Sequence, residues 1–357
     1  MRRIIIDAYP ISTPYVGLGE FCKQLGERLG KHAAELYSRY DIELYFILPP
    51  QYKGCFGNAV RYIGMPASMR WLLPLYPLRA DLFHIPYQSS HVRRLLCAKK
   101  QLLTIHDINF IYERTGKGLE RAANRFKRKI SHADYVSYIS QFACEDTEKH
   151  FSVRLPKKII YNGVTDLLAL SQQTPLPASL PTNFLLHISS LQPKKNIHLL
   201  VEMMKYLPEQ NLVVAGSWDS DYAQRIQQKI KEENIHNIYC LSNVTEAEKA
   251  ALYAACRALL FPSLCEGFGL PPIEAMKLGK PVFLSTLTAL PEIGGKEAFY
   301  WADLSPVPMA EVVRKQLAFF DATPSYSDRL RQNAARFDWD ECIEQYIQYY
   351  LEILGEA

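Results

Sequence analysis

The run Ala258-Leu259-Leu260-Phe261-Pro262-Ser263, followed by Glu266-Gly267-Phe268-Gly269-Leu270-Pro271-Pro272-Ile273-Glu274, decides the reading of this chain. The first six residues are an apolar run of strand length. Ile273 to Leu278 reads as a helix stopped by Gly279. Between them lies a Gly-aromatic-Gly turn bracketed by two carboxylates. The expected local order is strand, glycine loop and helix N-terminus, with Glu274 in the first helical turn and its carboxylate exposed at the lip of a sheet. Backbone N–H groups at a helix start lack intrahelical acceptors and favour anions. Such a site can hold a nucleotide by its diol and a sugar by its hydroxyls.

Outward from this run the same alternation continues. Strands are expected at 184–188, 211–215, 238–241, 258–263 and 281–285, and helices at 197–207, 222–233 and 246–256. Strands alternating with helices imply a parallel sheet covered on both faces. Ligands of such sheets bind outside the carboxyl ends of the strands. Residues 166–182 break the pattern with three prolines and read as a linker. Before them a second series runs through strands at 2–7, 42–48, 82–84, 102–105, 135–139 and 158–161, with a basic helix from Lys117 to Ile130. Ser140 is placed to cap the helix after the fifth of these strands. A final helix is expected from about Trp339 to Leu354.

Bulk properties narrow the class. A chain of 357 residues exceeds one typical core, so two domains are expected. No window approaches the ~18 apolar residues of a membrane span, and Ile4-Ile5-Ile6 followed by Asp7 reads as a strand, so no secretory leader is expected. The eight cysteines show no CxxC, so reduced thiols in a cytoplasmic protein are expected rather than a disulfide frame or zinc site. The net charge of +4 is mild, and no nucleic-acid partner is expected. Cations nevertheless gather at Arg93, Arg94, Lys99, Lys100, Arg121, Arg125, Lys127, Arg128 and Lys129. They form either solvated helix faces or a patch for anionic lipid or a pyrophosphate-bearing acceptor. The apolar stretch Trp71 to Leu78 either packs inside or contributes to such a patch. Peripheral contact at the inner face of the cell membrane is the corresponding location.

Several groups can carry chemistry. Ser189-Ser190-Leu191-Gln192-Pro193-Lys194-Lys195-Asn196 follows the first strand of the second half and opens a helix, so Lys195 can meet a diphosphate with its own charge and the helix's partial charge. Tyr15-Val16-Gly17-Leu18-Gly19-Glu20 reads as a glycine turn between strand and helix, although it lacks the third glycine of the dinucleotide fingerprint. His106-Asp107 follows a strand and falls in a carboxyl-end loop, and His84 follows Leu82-Phe83 in the same manner. Asp219-Ser220-Asp221 and Asp338-Trp339-Asp340 match an Asp-x-Asp metal pattern, but both lead into helices, where capping explains them.

Together these residues resemble the family-4 retaining glycosyltransferases of the GT-B fold. The specific part is the E-x7-E signature at Glu266 and Glu274. Lys195-Asn196, Gly17-Leu18-Gly19, His106-Asp107, Asn162-Gly163 and Leu290 to Gly295 support it. The resemblance implies an α/β GT-B fold, with two Rossmann-like doubly wound domains facing a central cleft and a C-terminal helix crossing back to the first. Residues 1–165 with about 340–357 form the acceptor-side domain, and 166–339 the donor domain.

It further implies hexosyl transfer with retention from a UDP- or GDP-sugar to a saccharide or polyprenyl-pyrophosphate-linked saccharide in surface polysaccharide synthesis. No cofactor and no metal are expected. Glu274 would hold the ribose, Lys195 with Ser190 the diphosphate, and Glu266 with Gly267, Phe268, Gly269 and Leu270 the transferred sugar. Gly17 and Gly19 would close over the phosphates. His106 would lie beside the donor sugar and acceptor hydroxyl, with His84 and Asp107 on the acceptor side. Ser189-Ser190 stands where many members carry Gly-Arg, so the usual phosphate arginine is absent. That departure motivates the alternatives of a catalytically inactive GT-B binding or scaffold protein, or a nucleotide-sugar epimerase of the same fold.

Overall fold

Ile4, Ile5 and Ile6 are all buried, which a strand with one wet face cannot achieve. Successive strand side chains point to opposite faces. Ile4 and Ile6 enter one core cluster and Ile5 another, so the sheet is covered on both sides. In a computed structural model, which describes all residues except 13–16, 78, 91, 93 and 357, the chain divides into two units. One is Met1–Gly163 with Asp338–Ala357, and the other is Val164–Phe337.

The first unit holds β1 (Arg2–Asp7), β2 (Ile42–Leu48), β3 (Arg61–Gly64), β4 (Ala80–Ile85), β5 (Ala98–Ile105), β6 (Tyr135–Tyr138) and β7 (Lys157–Ile159). They form one parallel sheet in the order β3-β2-β1-β4-β5-β6-β7. Its helices include α1 (Gly17–Tyr40), α2 (Phe110–Glu113), α3 (Gly116–Ile130) and α4 (Gln141–His150). Ser140 caps α4, its Oγ accepting from the Ala143 amide at 3.0 Å. The C-terminal helix Trp339–Leu354 lays Trp339, Ile343, Tyr346 and Tyr350 into the cluster that holds Ile4, Ile6 and Phe21. Gly163 admits this helix, because a Cβ there would stand 2.3 Å from the Trp339 Cα.

The second unit holds β8 (Leu185–Ile188), β9 (Leu212–Ala215), β10 (Ile238–Leu241), β11 (Ala258–Phe261), β12 (Val282–Ser285) and β13 (Phe299–Trp301), all parallel, in the order β10-β9-β8-β11-β12-β13. Its helices are α5 (Leu168–Ser171), α6 (Ile197–Met204), α7 (Asp221–Glu232), α8 (Glu246–Ala255), α9 (Leu270–Lys277), α10 (Leu290–Gly294), α11 (Pro306–Asp321) and α12 (Tyr326–Ala335). Strand order reverses between β8 and β11, the place in such sheets where ligands bind at the carboxyl ends of the strands. The stretch read as a linker contains α5, which packs on α8.

Two local expectations change. Gly17 to Glu20 are the first turn of α1, not a turn preceding it, and Tyr15 and Val16 lie outside the described residues. Helix α9 begins at Leu270, three residues before its expected start, because prolines suit a first turn whose N–H groups have no intrahelical acceptor.

Candidate functional site

The two loops at the strand-order reversal are bonded to each other. The Leu264 amide donates to the Lys194 carbonyl at 2.8 Å, and the Ser263 hydroxyl donates to the same carbonyl at 3.2 Å. Lys195 and Glu266 therefore face one another, with Nζ 2.5 Å from Oε1 and the Ser263 Oγ 2.6 Å from that same oxygen. The Lys195 ammonium also lies 5.0 Å from the Phe261 ring centroid. The Glu266 amide donates to Thr288 Oγ1 at 3.0 Å, which fixes the backbone where the glycine turn starts.

Beyond Glu266 the chain must turn sharply into α9. Gly269 does so at φ +128°, a conformation open to glycine and costly for any side chain. Phe268 turns its ring into the core, edge-on to Phe337 at 5.4 Å. Only the backbone of residues 267–269 is thus available to a ligand here. Leu270 is half-buried at the first position of α9.

Glu274 departs from its expected place. It lies in the second turn of α9 and is not exposed: its Oε1 accepts from Lys249 Nζ at 3.1 Å. Lys249, on α8, was not singled out from sequence, and only its i,i+4 neighbour Tyr253 hints that this helix face is directed at something. Burial works against the Lys249 ammonium, but Glu274 and Glu246 raise it above its ordinary value. Burial and then the Glu274 carboxylate push the Tyr253 phenol well above its usual range. Helix α8 thus presents one cation and one buried hydroxyl toward Glu274.

The 189–191 turn is fastened from below. His187 Nδ1 donates to the Leu260 carbonyl at 2.8 Å, which leaves Nε2 to accept from the Ser189 hydroxyl at 2.9 Å. Ser189 Oγ in turn accepts from the Leu191 amide at 3.1 Å. A serine at this position therefore builds the loop, while Ser190 is exposed. Gly216 is required beside it, since a Cβ there would stand 2.1 Å from the Ser189 carbonyl oxygen.

A sequence profile described as Glycosyl transferases group 1 matches residues 172–334. The O-antigen chain mannosyltransferase B of Escherichia coli is 32% identical over 391 aligned positions, which span 98% of this chain and 99% of that protein. This chain belongs to the group 1 glycosyltransferases. The O-antigen chain mannosyltransferase RfbU of Salmonella typhimurium is 25% identical over 68% of this chain and 67% of its own. Anabaena HepE in complex with UDP-glucose superposes with a TM-score of 0.73 over 99% of this chain and 100% of that one, at 18% identity. That likeness is one of fold: both units of this glycosyltransferase have the doubly wound α/β build of the GT-B class.

In the first unit of the glycosyltransferase, His106 follows β5 as expected, but its ring is almost wholly buried, edge-on to Phe21 at 4.8 Å. Its Nε2 lies 2.9 Å from the Pro86 carbonyl oxygen. A carbonyl only accepts, so Nε2 carries the proton and Nδ1 is left as the acceptor. Burial lowers the ring to about 4, keeping it neutral near neutral pH. Asp107 caps its own loop, its Oδ1 accepting from the Asn109 amide at 3.0 Å, while its backbone carbonyl accepts from Gln88.

His84 does not fall in a carboxyl-end loop. Strand β4 runs on to Ile85, so His84 sits within it, 0% exposed. Its Nδ1 lies 2.7 Å from Tyr350 Oη and its Nε2 2.8 Å from Thr104 Oγ1. Both ring nitrogens are used in joining the C-terminal helix to the sheet. The Asp-x-Asp stretches are caps: Ser220 Oγ accepts from Ala223, and Asp338 Oδ1 from Asp340 and Glu341. Among the described residues no cluster of three or more metal-ligating side chains occurs.

Proposed function

We propose that this glycosyltransferase moves a hexose, with retention, from a nucleoside-diphosphate sugar to a saccharide or lipid-linked saccharide acceptor in surface polysaccharide assembly. The observation that carries this reading is the convergence of Lys195 and Glu266 from the two loops flanking the strand reversal, with Glu274 on the helix that follows. Lys195 offsets the diphosphate charge, aided by fixed backbone donors rather than a metal. Glu274 accepts from the ribose hydroxyls, and Glu266 with the backbone of residues 267–269 accepts from and donates to the sugar. A neutral His106, with Nδ1 as acceptor, suits a sugar hydroxyl. The mannosyltransferase relatives favour mannose as the transferred sugar.

A thermal-shift panel of nucleoside diphosphates and their sugars tests it, because a ligand of the native state raises its stability with occupancy. Stabilisation by one base series is expected, lost in Glu274→Ala, with turnover unaffected by a metal chelator. Stabilisation without transfer to any saccharide acceptor would favour the binding-protein reading that Ser190 motivates. A fully active Glu274→Ala would sink the site assignment.

A further inference from the structure

Away from these loops, the first unit displays apolar side chains that its own fold does not cover. Residues Ala67–Leu75 form a 3-10 helix whose Leu73 is buried, while Met69, Trp71 and Leu75 are 47%, 74% and 66% exposed. The strap is firmly tied down. Between Met69 and Trp71, Arg70 reaches inward: its Nη2 lies 2.9 and 3.2 Å from the two Asp7 carboxylate oxygens and 3.1 Å from Tyr87 Oη. The guanidinium covers the Tyr9 ring at 3.9 Å. Asp7, fully buried at the carboxyl end of β1, also accepts from the hydroxyls of Tyr87 at 3.0 Å and Ser90 at 2.8 Å. The Leu96 amide donates to the Pro74 carbonyl at 3.1 Å, which brings Leu96, 66% exposed, against the strap. A buried ion pair and a backbone bond thus hold apolar side chains out toward water, and exposed apolar patches of this kind mark interaction sites.

Helix α3 supplies the second observation. Its sequence carries six cations against one glutamate. Lys117, Arg121, Arg125, Lys127 and Arg128 are exposed, and none has an acidic partner among the described residues. Exposed cations elsewhere in this unit, such as Arg61, Lys99 and Lys157, do have one. The sixth, Lys129, turns inward and bonds the Ser90 carbonyl at 2.7 Å and the Val92 carbonyl, fastening α3 to the segment that leads to Leu96. Leu73, Val92, Leu95 and Phe126 share one core cluster, so strap, segment and helix cover the same side of the sheet. Leu78 and Arg93 lie outside the described residues.

We propose that this face docks on an anionic lipid bilayer. Trp71, Leu75, Met69 and Leu96 enter the boundary between headgroups and acyl chains, where tryptophan is favoured. The cations of α3 meet lipid charge, an attraction that salt screens. An acidic soluble protein would satisfy α3 and leave the strap uncovered, whereas an anionic bilayer presents both charge and apolar depth. The proposal does not depend on which sugar donor the second unit takes.

Vesicles of zwitterionic lipid, with and without an anionic lipid, test it on the full chain. Of the four tryptophans, Trp71 alone is exposed, so a blue shift in emission on adding vesicles reports that residue. Expected results are flotation with anionic vesicles that weakens as salt rises, and an emission shift abolished by Trp71→Phe with binding retained. Trp71→Ser with Leu75→Ser should weaken partition by about tenfold or more. Arg121→Glu with Arg125→Glu should reduce binding and its salt dependence, which keeps the test decisive if the strap variant misfolds. Absence of flotation, equal binding to zwitterionic vesicles, or Trp71-dependent self-association without lipid would overturn the proposal.

Discussion

Lys195 Nζ and Glu266 Oε1 lie 2.5 Å apart, joining the loop after β8 to the loop after β11. The cation proposed for the diphosphate and the carboxylate proposed for the sugar are one ion pair, so each sets the other's position. Both side chains are largely buried, at 11% and 13% exposure. The pair can nonetheless be separated by its two proposed tasks. Lys195→Ala should weaken nucleoside-diphosphate binding roughly ten- to a hundredfold, the worth of a charge-assisted hydrogen bond. Glu266→Gln should bind the free nucleoside diphosphate within a few-fold of the parent and lose most turnover. Calorimetry with the diphosphate alone decides: equal losses in both variants would reduce the pair to a structural brace.

Lys249 and Glu274 form the second coupled pair. Lys249→Met should destabilise the protein by about 1–3 kcal/mol, since it strands a largely buried carboxylate. It should also weaken nucleotide binding, because Glu274 loses the cation that orients it. Adding Glu274→Gln should recover stability without recovering affinity. Chemical unfolding alongside nucleotide titration measures both, and a double variant as unstable as Lys249→Met would contradict the pairing.

Three histidines make stability depend on acidity. Burial lowers His84 to about 3 and both His106 and His187 to about 4. These folded values lie below the unfolded value of about 6.5, so the unfolded chain binds protons that the native chain refuses. The stabilisation is whole above pH ~6.5 and is lost as pH falls toward the folded values, at about 1.4 kcal/mol per pH unit for each histidine. Urea unfolding near pH 7.5 and near pH 5 should reveal the fall, and His187→Gln should remove one histidine's share. A flat profile would mean that these rings are charged in the native state.

Gly269→Ala tests the turn between the two glutamates. The residue sits at φ +128°, and an added Cβ would stand 3.2 Å from Leu290 Cδ2. A loss of at least ~1 kcal/mol is expected, together with weakened sugar-nucleotide binding, because the loop backbone must shift. Unchanged melting and affinity would show that the loop adapts freely.

Much of the fold was legible in local pattern. Ile4-Ile5-Ile6 and Ala258 to Phe261 are apolar on both strand faces, which only a doubly covered parallel sheet rewards. The C-terminal helix runs from Trp339 to Leu354 where its apolar spacing places it. The glycine turn, the two carboxylates and Lys195 were equally visible, because loop chemistry and helix starts are written over a few adjacent residues.

Partner choice was not legible in this way. His84 and His106 both follow apolar strand residues, yet one joins the sheet to Tyr350 and the other bonds Pro86 at a loop. Glu274 meets Lys249 from another helix, and Asp7 meets Arg70, 63 residues away. The sequence by itself determined which segments become strands, helices and carboxyl-end loops, because periodicity and turn chemistry act over neighbouring residues. Only the tertiary structure decided which charges neutralise each other and which histidine is sealed away, because packing between distant segments sets the distances on which ion pairs and desolvation depend.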